Sequence, residues 1–369
     1  MRKSFGPAVA LAALAALVLG LGAGSASAQP ASGNPPPPKG FEADSASFVS
    51  ARAGFVLGAR HCSRLPCKAL LEKTVNGGRT WAAVPAPVVS LTSPFNAPPL
   101  SAVSTVRFEN ARDGWLFNPG LWATTDRGRQ WHRVSLPGEV IALAAADGVV
   151  FAAAEPVNGG LGAARLYRSK VGSTTWTRVA GVAPADALTV SGHSVWAGIA
   201  PELWRSTDSG THWSKLPFRC PPAVPDASPI AAASTANVAL ACDNPGFPQP
   251  GFSRKQVFTS ADGGRTFHLA GRPAEPGEAG LLAMPPGHPQ VITLIAASGA
   301  SYLYRSVDGG KTWRMATFFD GGLGFRDLAY VSAATGYLIH FSGGPVIAYG
   351  QGLMKTTNAG ASWKAVPIR

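Results

Sequence analysis

Twelve aspartates and eight glutamates are the chain's candidates for proton chemistry, and few of them are at liberty to perform it. Hydrolysis of a glycoside needs two carboxyl groups facing each other across the scissile bond. Asp126, Asp208, Asp262 and Asp308 each sit in a recurring turn-forming box, and Asp113 and Asp147 occupy short turns between apolar runs. The seven histidines show neither an H-x-H nor an H-E-x-x-H spacing, so a divalent metal has no obvious ligand set. A G-x-S-x-G elbow and a phosphate loop are absent, as is a dinucleotide fingerprint outside the N-terminal glycines. No metal and no cofactor are expected.

Cysteine chemistry is the other possibility. Cys62 and Cys67 are five residues apart, and Cys220 and Cys242 are 22 apart. An even count without a C-x-x-C pair reads, in an exported chain, as two disulfides. Pairing by proximity gives Cys62–Cys67 and Cys220–Cys242, one of three connectivities. Export itself is read from residues 1–28. Arg2 and Lys3 precede an apolar run from Ala8 to Leu21, and Ala26-Ser27-Ala28 fits a signal-peptidase site. An uncleaved anchor is the alternative. Residues 29–40, with Pro35 to Pro38, form a stiff linker, and 41–369 is expected to be one folded domain that is secreted or periplasmic.

The elements that must position any site are announced by a repeat. Seven segments share Ser/Thr, any residue, Asp/Asn, any, Gly, any two, then an aromatic. They begin at Thr74, Thr124, Ser169, Ser206, Ser260, Ser306 and Thr356, and close on Trp81, Trp131, Trp176, Trp213, Phe267, Trp313 and Trp363. The third is degenerate, with Val171 and Ser173 in place of the acidic residue and the glycine. The closing aromatics lie 50, 45, 37, 54, 46 and 50 residues apart, a period that means a stack or ring of similar units. Within the box, Asn76, Asp126, Asp208, Asp262, Asp308 and Asn358 are expected to be structural. Their side chains accept backbone N–H bonds two residues on, and the following glycine tolerates positive φ. Two short apolar runs joined by a small turn precede each box, as in Val103–Phe108 and Gly114–Phe117. Each unit is thus four strands, A to D, with the box joining C to D. The expectation is an all-β, seven-bladed propeller closed by contact between complete blades.

The box resembles the Asp-box, or BNR repeat, of sialidases, endoglucanases, sortilin-type ectodomains and photosystem II assembly and stability factors. The run from Val103 to Trp115 looks most like the last of these. The resemblance implies fold more than function. Sialidases of this kind use an arginine cluster, a tyrosine nucleophile with a glutamate partner, and an x-Arg-x-Pro motif near the start of the domain. The two matches here, around Arg64 and Arg219, lie between Cys62 and Cys67 and after the fourth box, and neither is placed as that motif is.

In A–D blades, strand A lines the channel, A–B and C–D turns share one face, and B–C and D–A loops share the other. The long Pro/Gly-rich stretches (85–101, 118–123, 154–164, 217–229, 243–256, 271–280, 319–324 and 342–350) all fall on that second face, where both disulfides would also lie. Long loops on a rigid scaffold carry binding residues. Phe95, Asn96, Asp243, Asn244, Phe247, Phe252, Arg254, Lys255, Asp320, Phe325 and Arg326 are the ligand-contact candidates, as exposed aromatics beside charges. The net charge of +12 is scattered rather than clustered, so nucleic acid is not an expected partner. The leading expectation is a monomeric, non-enzymatic propeller that binds a protein or a cell-envelope glycan or polymer. A sialidase- or endoglucanase-type glycoside hydrolase and an assembly or stability factor for a membrane complex are the alternatives.

Overall fold

The computed structural model describes residues 40–368 apart from 61–65, 92–99, 157–163, 183–184, 186, 200–201, 222–225, 247, 321 and 345–346. The expected signal peptide and all but the last residue of the expected linker lie outside them. The chain forms seven four-stranded antiparallel sheets, each made of four consecutive strands. Together they are the blades of a β-propeller, without a helix among the described residues. The innermost strands are Phe41–Phe48, Thr105–Phe108, Glu139–Ala146, Ala187–Ser191, Asp226–Ala232, Glu278–Ala283 and Gly322–Tyr330. Among the described residues no strand is exchanged between the first and last blades.

The core is distributed between blades. Seven apolar clusters fill the seven gaps: Phe55, Leu57, Val106 and Leu116 between blades 1 and 2, for example, and Phe41, Val56, Tyr337 and Leu353 between 7 and 1. The alternation of each second strand, Phe55-Val56-Leu57 or Val238-Ala239-Leu240, accordingly sends apolar side chains to both faces. Phe48 stacks on Tyr337 across the 7–1 gap and Phe55 on Phe108 across the 1–2 gap.

The boxes are hairpins with a common hydrogen-bond set. In blade 6 the buried Ser306 hydroxyl donates to Asp308 Oδ1 at 2.8 Å and accepts from the Gly310 N–H at 2.8 Å, while Asp308 Oδ1 accepts from the Thr312 N–H at 2.9 Å. The same bonds recur around Thr74, Thr124, Ser206, Ser260 and Thr356. The degenerate third copy satisfies its Ser169 hydroxyl on the Thr175 carbonyl instead. The turn needs two left-handed residues. The box glycine has φ of 91° at Gly310, and a Cβ there would meet the Ala270 side chain of the preceding blade. The residue before it is left-handed too, and in three copies it is not glycine: Arg127 (72°), Ser209 (55°) and Ala359 (55°). The N–H of that residue donates to the A–B turn of its own blade, as from Gly77 to Arg52 O and from Ala359 to Ala334 O, which puts both kinds of turn on one face.

A further contact follows the ring. The residue just before the box is a cation in blades 1, 3, 4, 6 and 7: Lys73, Arg168, Arg205, Arg305 and Lys355. Three of them donate to the left-handed turn of the next box: Arg205 to Asp262 O, Arg305 to Ala359 O and Lys355 to Gly77 O. Lys73, Arg205 and Lys355 also lie over the aromatic ring opposite them on strand B, that of Phe55, Trp196 and Tyr337 respectively. Part of the scattered positive charge is thereby spent inside the fold.

Candidate functional site

Two of the long stretches expected as loops are strand instead. Strand D of blade 6 runs Arg314–Asp320, and strands B and C of blade 7 run Gly336–Gly344 and Ile347–Thr356. The remaining inserts do connect B to C or D to A. Cys220 and Cys242 are bonded as expected. Cys67 is disulfide-bonded as well, and its expected partner Cys62 lies outside the described residues.

The innermost strands surround a cavity of about 450 Å³ whose walls differ. Blades 3 to 6 contribute Ile141, Leu143, Leu188, Ile230, Leu281 and Leu282; blades 2 and 7 contribute Arg107, Arg326 and Asp327. Bulges set this lining. Strand registers skip at Ile141, across Pro229, at Gly280 and at Asp327, all of which lie in or beside the lumen, and at Asp44 in blade 1. A bulged residue leaves the ladder and its side chain is re-aimed. Asp327 is held at φ 52°, a conformation that costs a non-glycine residue about 1 kcal/mol or more.

The polar wall of Arg107, Arg326 and Asp327 belongs to a two-arginine, two-aspartate cluster completed by the buried Asp44, an ion-pair partner of Arg326. Arg107 Nη2 lies 2.6 Å from Asp327 Oδ1, and Asp327 Oδ2 accepts the Ala46 N–H at 2.9 Å. One carboxylate therefore ties blades 7, 1 and 2 together. Arg326 Nη1 stands 3.8 Å from Asp44 Oδ1, while Asp44 Oδ2 is buried without a hydrogen-bond partner among the described residues. Burial pushes the Asp44 carboxyl up to about 7; Arg326 opposes the shift and the neighbouring Asp327 adds to it. The cluster can hold a proton at neutral pH and can offer two guanidiniums to an anionic group. Among the described residues no three His, Cys, Asp or Glu side chains gather as a metal site.

Of the expected contact residues that are described, Arg326 alone lines the channel. Asp243 and Lys255 are buried, contrary to expectation. Lys255 Nζ donates to the carbonyls of Ser253, Glu275, Pro276 and Gly277 at 2.5–3.3 Å, and burial lowers its pKa to about 8. Asp243 accepts the N–H groups of Ala279 and Asn244. These two charges pin the B–C loop of blade 5 to the following D–A loop rather than facing a ligand. Phe325 is buried against His340 in the gap between blades 6 and 7, again not exposed. Asn244, Phe252 and Arg254 are half-buried on the loop face. The backbone of Asp320 pairs with Ala300 at the end of strand D. Phe95, Asn96 and Phe247 lie outside the described residues. Sequence reasoning missed Asp44, Arg107 and Asp327. The available signal was that Asp44 and Asp327 interrupt innermost-strand runs, where a charged residue calls for a bulge or a partner.

No family model matches the chain, and no curated protein matches it. Solved structures do, at identities that establish the fold alone. YCF48 from Cyanidioschyzon merolae is similar at 15% identity and TM-score 0.57, covering 88% of this chain and 97% of that one. A structure of YCF48 bound to D1 peptide is similar at 18% identity and TM-score 0.56, covering 91% and 99%. The GH74 xyloglucanase from Xanthomonas campestris is similar at 14% identity and TM-score 0.58, covering 90% of this chain and 55% of the enzyme, so the chain spans about half of that enzyme's length.

Proposed function

We propose that this chain is an exported, non-enzymatic propeller that binds a segment of another protein, anchored in the central channel and rimmed by the long-loop face. The observation that carries the reading is the two-sided lumen: an aliphatic wall on blades 3 to 6 faces guanidiniums on blades 2 and 7. Such a surface suits a chain that alternates apolar and charged groups. A propeller of similar fold holds a peptide, which supports the choice of a protein over a glycan. The recurring Ser/Thr–Asp/Asn–Gly hydrogen bonds support placing the hairpins with the Asp-box repeats, and the Cys220–Cys242 disulfide supports an oxidising compartment. Half-buried Phe252 and Arg254, on the B–C loop of blade 5, are the contact candidates this reading keeps on the loop face.

Selection of displayed random peptides on the purified protein tests this. Enriched sequences should combine aliphatic and acidic residues and compete for one site. The Arg107→Ala/Arg326→Ala double variant should lose them while its unfolding transition stays cooperative. Failure to enrich any peptide over an unrelated propeller would refute the reading.

One observation favours a second reading, a glycoside hydrolase: Asp44 retains a proton near neutrality beside the paired carboxylate of Asp327. Release of reducing ends from xyloglucan, lost in Asp44→Asn, would establish it in place of the first.

A further inference from the structure

We propose that the channel selects an apolar chain bearing one carboxylate, and that a proton enters at Asp44 as this carboxylate settles beside Arg107 and Arg326; the inference rests on the binding reading above. The charge count comes first. With both aspartates ionised, Arg107, Arg326, Asp44 and Asp327 sum to zero, and an arriving carboxylate leaves one negative charge in excess. With Asp44 neutral the cluster carries +1, which one carboxylate balances.

The geometry then decides which aspartate gives way. Asp327 is committed twice, to the Arg107 guanidinium at 2.6 Å and to the Ala46 N–H at 2.9 Å. Neutralising it would weaken a contact that joins three blades. Asp44 has its nearest cation at 3.8 Å, and its Oδ2 is buried without a hydrogen bond among the described residues. A proton on Asp44 therefore breaks no hydrogen bond of its carboxylate, gives up only the long 3.8 Å ion pair to Arg326, and supplies an O–H donor. Its ordinary carboxylate value is already displaced toward neutrality by burial.

Among the described side chains, the other charged or titratable ones on the strands packed against Asp44 are Glu42 on its own strand, Arg60 on the second strand of blade 1, Arg107 on blade 2, and Arg326, Asp327, Tyr330, Tyr337, His340 and Lys355 on blade 7. Burial drives His340 down to about 4 and Tyr337 up to about 12, so neither changes charge between pH 5.5 and 8.5. The aliphatic side of the ligand is specified by the opposite wall, where Leu281 remains 37% exposed in the lumen.

Titration calorimetry on the full protein tests the coupling with three probes. N-acetyl-Leu-Leu carries a terminal carboxylate, N-acetyl-Leu-Glu-Leu-amide a side-chain carboxylate, and N-acetyl-Leu-Leu-amide none. At least one acidic probe should bind about tenfold more tightly at pH 6 than at pH 8, the linkage expected for one group titrating near 7. Paired buffers of different ionisation heat should show about one proton taken up per ligand at pH 8. Whichever acid shows the effect identifies the source of the carboxylate, and the neutral probe should be weaker and independent of pH. Asp44→Asn should hold the acid at pH 8 as tightly as at pH 6. Equal affinity of wild type at the two pH values, no proton uptake, or a pH slope that survives in Asp44→Asn would overturn the proposal. The buffer-pair measurement on wild type decides it even if the variant fails to fold. PH-independent binding of the acids refutes the coupling while sparing the peptide-binding reading; absence of any acid binding overturns the proposal, and the peptide selection then judges that reading.

Discussion

The two ends of each blade are built on opposite principles. At the box end, six of seven copies repeat one hydrogen-bond set, in which the Ser/Thr hydroxyl accepts the N–H of the box glycine. In the channel the blades differ: the innermost strands skip register at residues as unlike as Asp44, Ile141, Pro229, Gly280 and Asp327, and two blades have no skip. Repetition marks the part that must only hold, and irregularity marks the part that can differ from one blade to the next. The charges obey the same division. Asp308 in a box is stabilised as the anion by the Thr312 N–H and hydroxyl and by Ser306, which lowers its pKa to about 2, whereas Asp44, buried beside Arg326 of the channel wall, is driven upward to about 7.

Removing the inter-blade packing next to the box end should have the largest effect. Trp196 is fully buried and its indole N–H reaches Gly263 O in the next blade at 2.9 Å. Trp196→Ala should cost about 3–5 kcal/mol in urea unfolding. A loss below about 1 kcal/mol would mean that the gaps between blades do not carry the fold.

The pH dependence of stability separates the two aspartate environments. The folded Asp44 keeps its proton to about 7 while the unfolded chain releases it near 4. Stability linked to it is therefore greatest below pH 4 and declines as pH rises from 4 to 7. For Asp308, whose folded value is lowered, the linked stability is present above about pH 4 and lost as pH falls toward 2. Chemical denaturation at several pH values should show the first slope removed by Asp44→Asn and the second unaffected by it.

Smaller effects test the box itself. Ser306→Ala leaves the Gly310 N–H without its acceptor and should cost about 1–2 kcal/mol, with peptide binding unchanged. At Ala359, where φ is 55°, substitution by glycine should stabilise the protein by up to about 1 kcal/mol. Melting curves of the two variants should move in opposite directions.

The seven blades were legible because a box dictates its own local geometry: hydroxyl, carboxylate and glycine at fixed offsets leave the turn few alternatives. Strand order within a blade followed from the apolar runs beside each box. The site was far less legible, because a bulge depends on how neighbouring innermost strands crowd the axis. Asp44 and Asp327 are 283 positions apart and meet only after the ring closes. Lys255 and Asp243 were read as surface charges because composition marks the loop as polar, and it cannot tell a solvated lysine from one enclosed by four carbonyls. The cation preceding the box was present in five copies and passed unnoticed, since its partner belongs to the next repeat.

That cation gives the ring a sense of rotation. Each such contact runs from one blade to its successor, and Lys355 reaching Gly77 O makes the step from the seventh blade to the first no different from the step between the fourth and fifth. These three one-way handshakes mark no blade as the first. Linking the two ends of the propeller and opening the chain between blades 4 and 5 would preserve the donors and acceptors of those contacts, so the order in which the blades are encoded is free to drift by permutation while the ring they form stays the same.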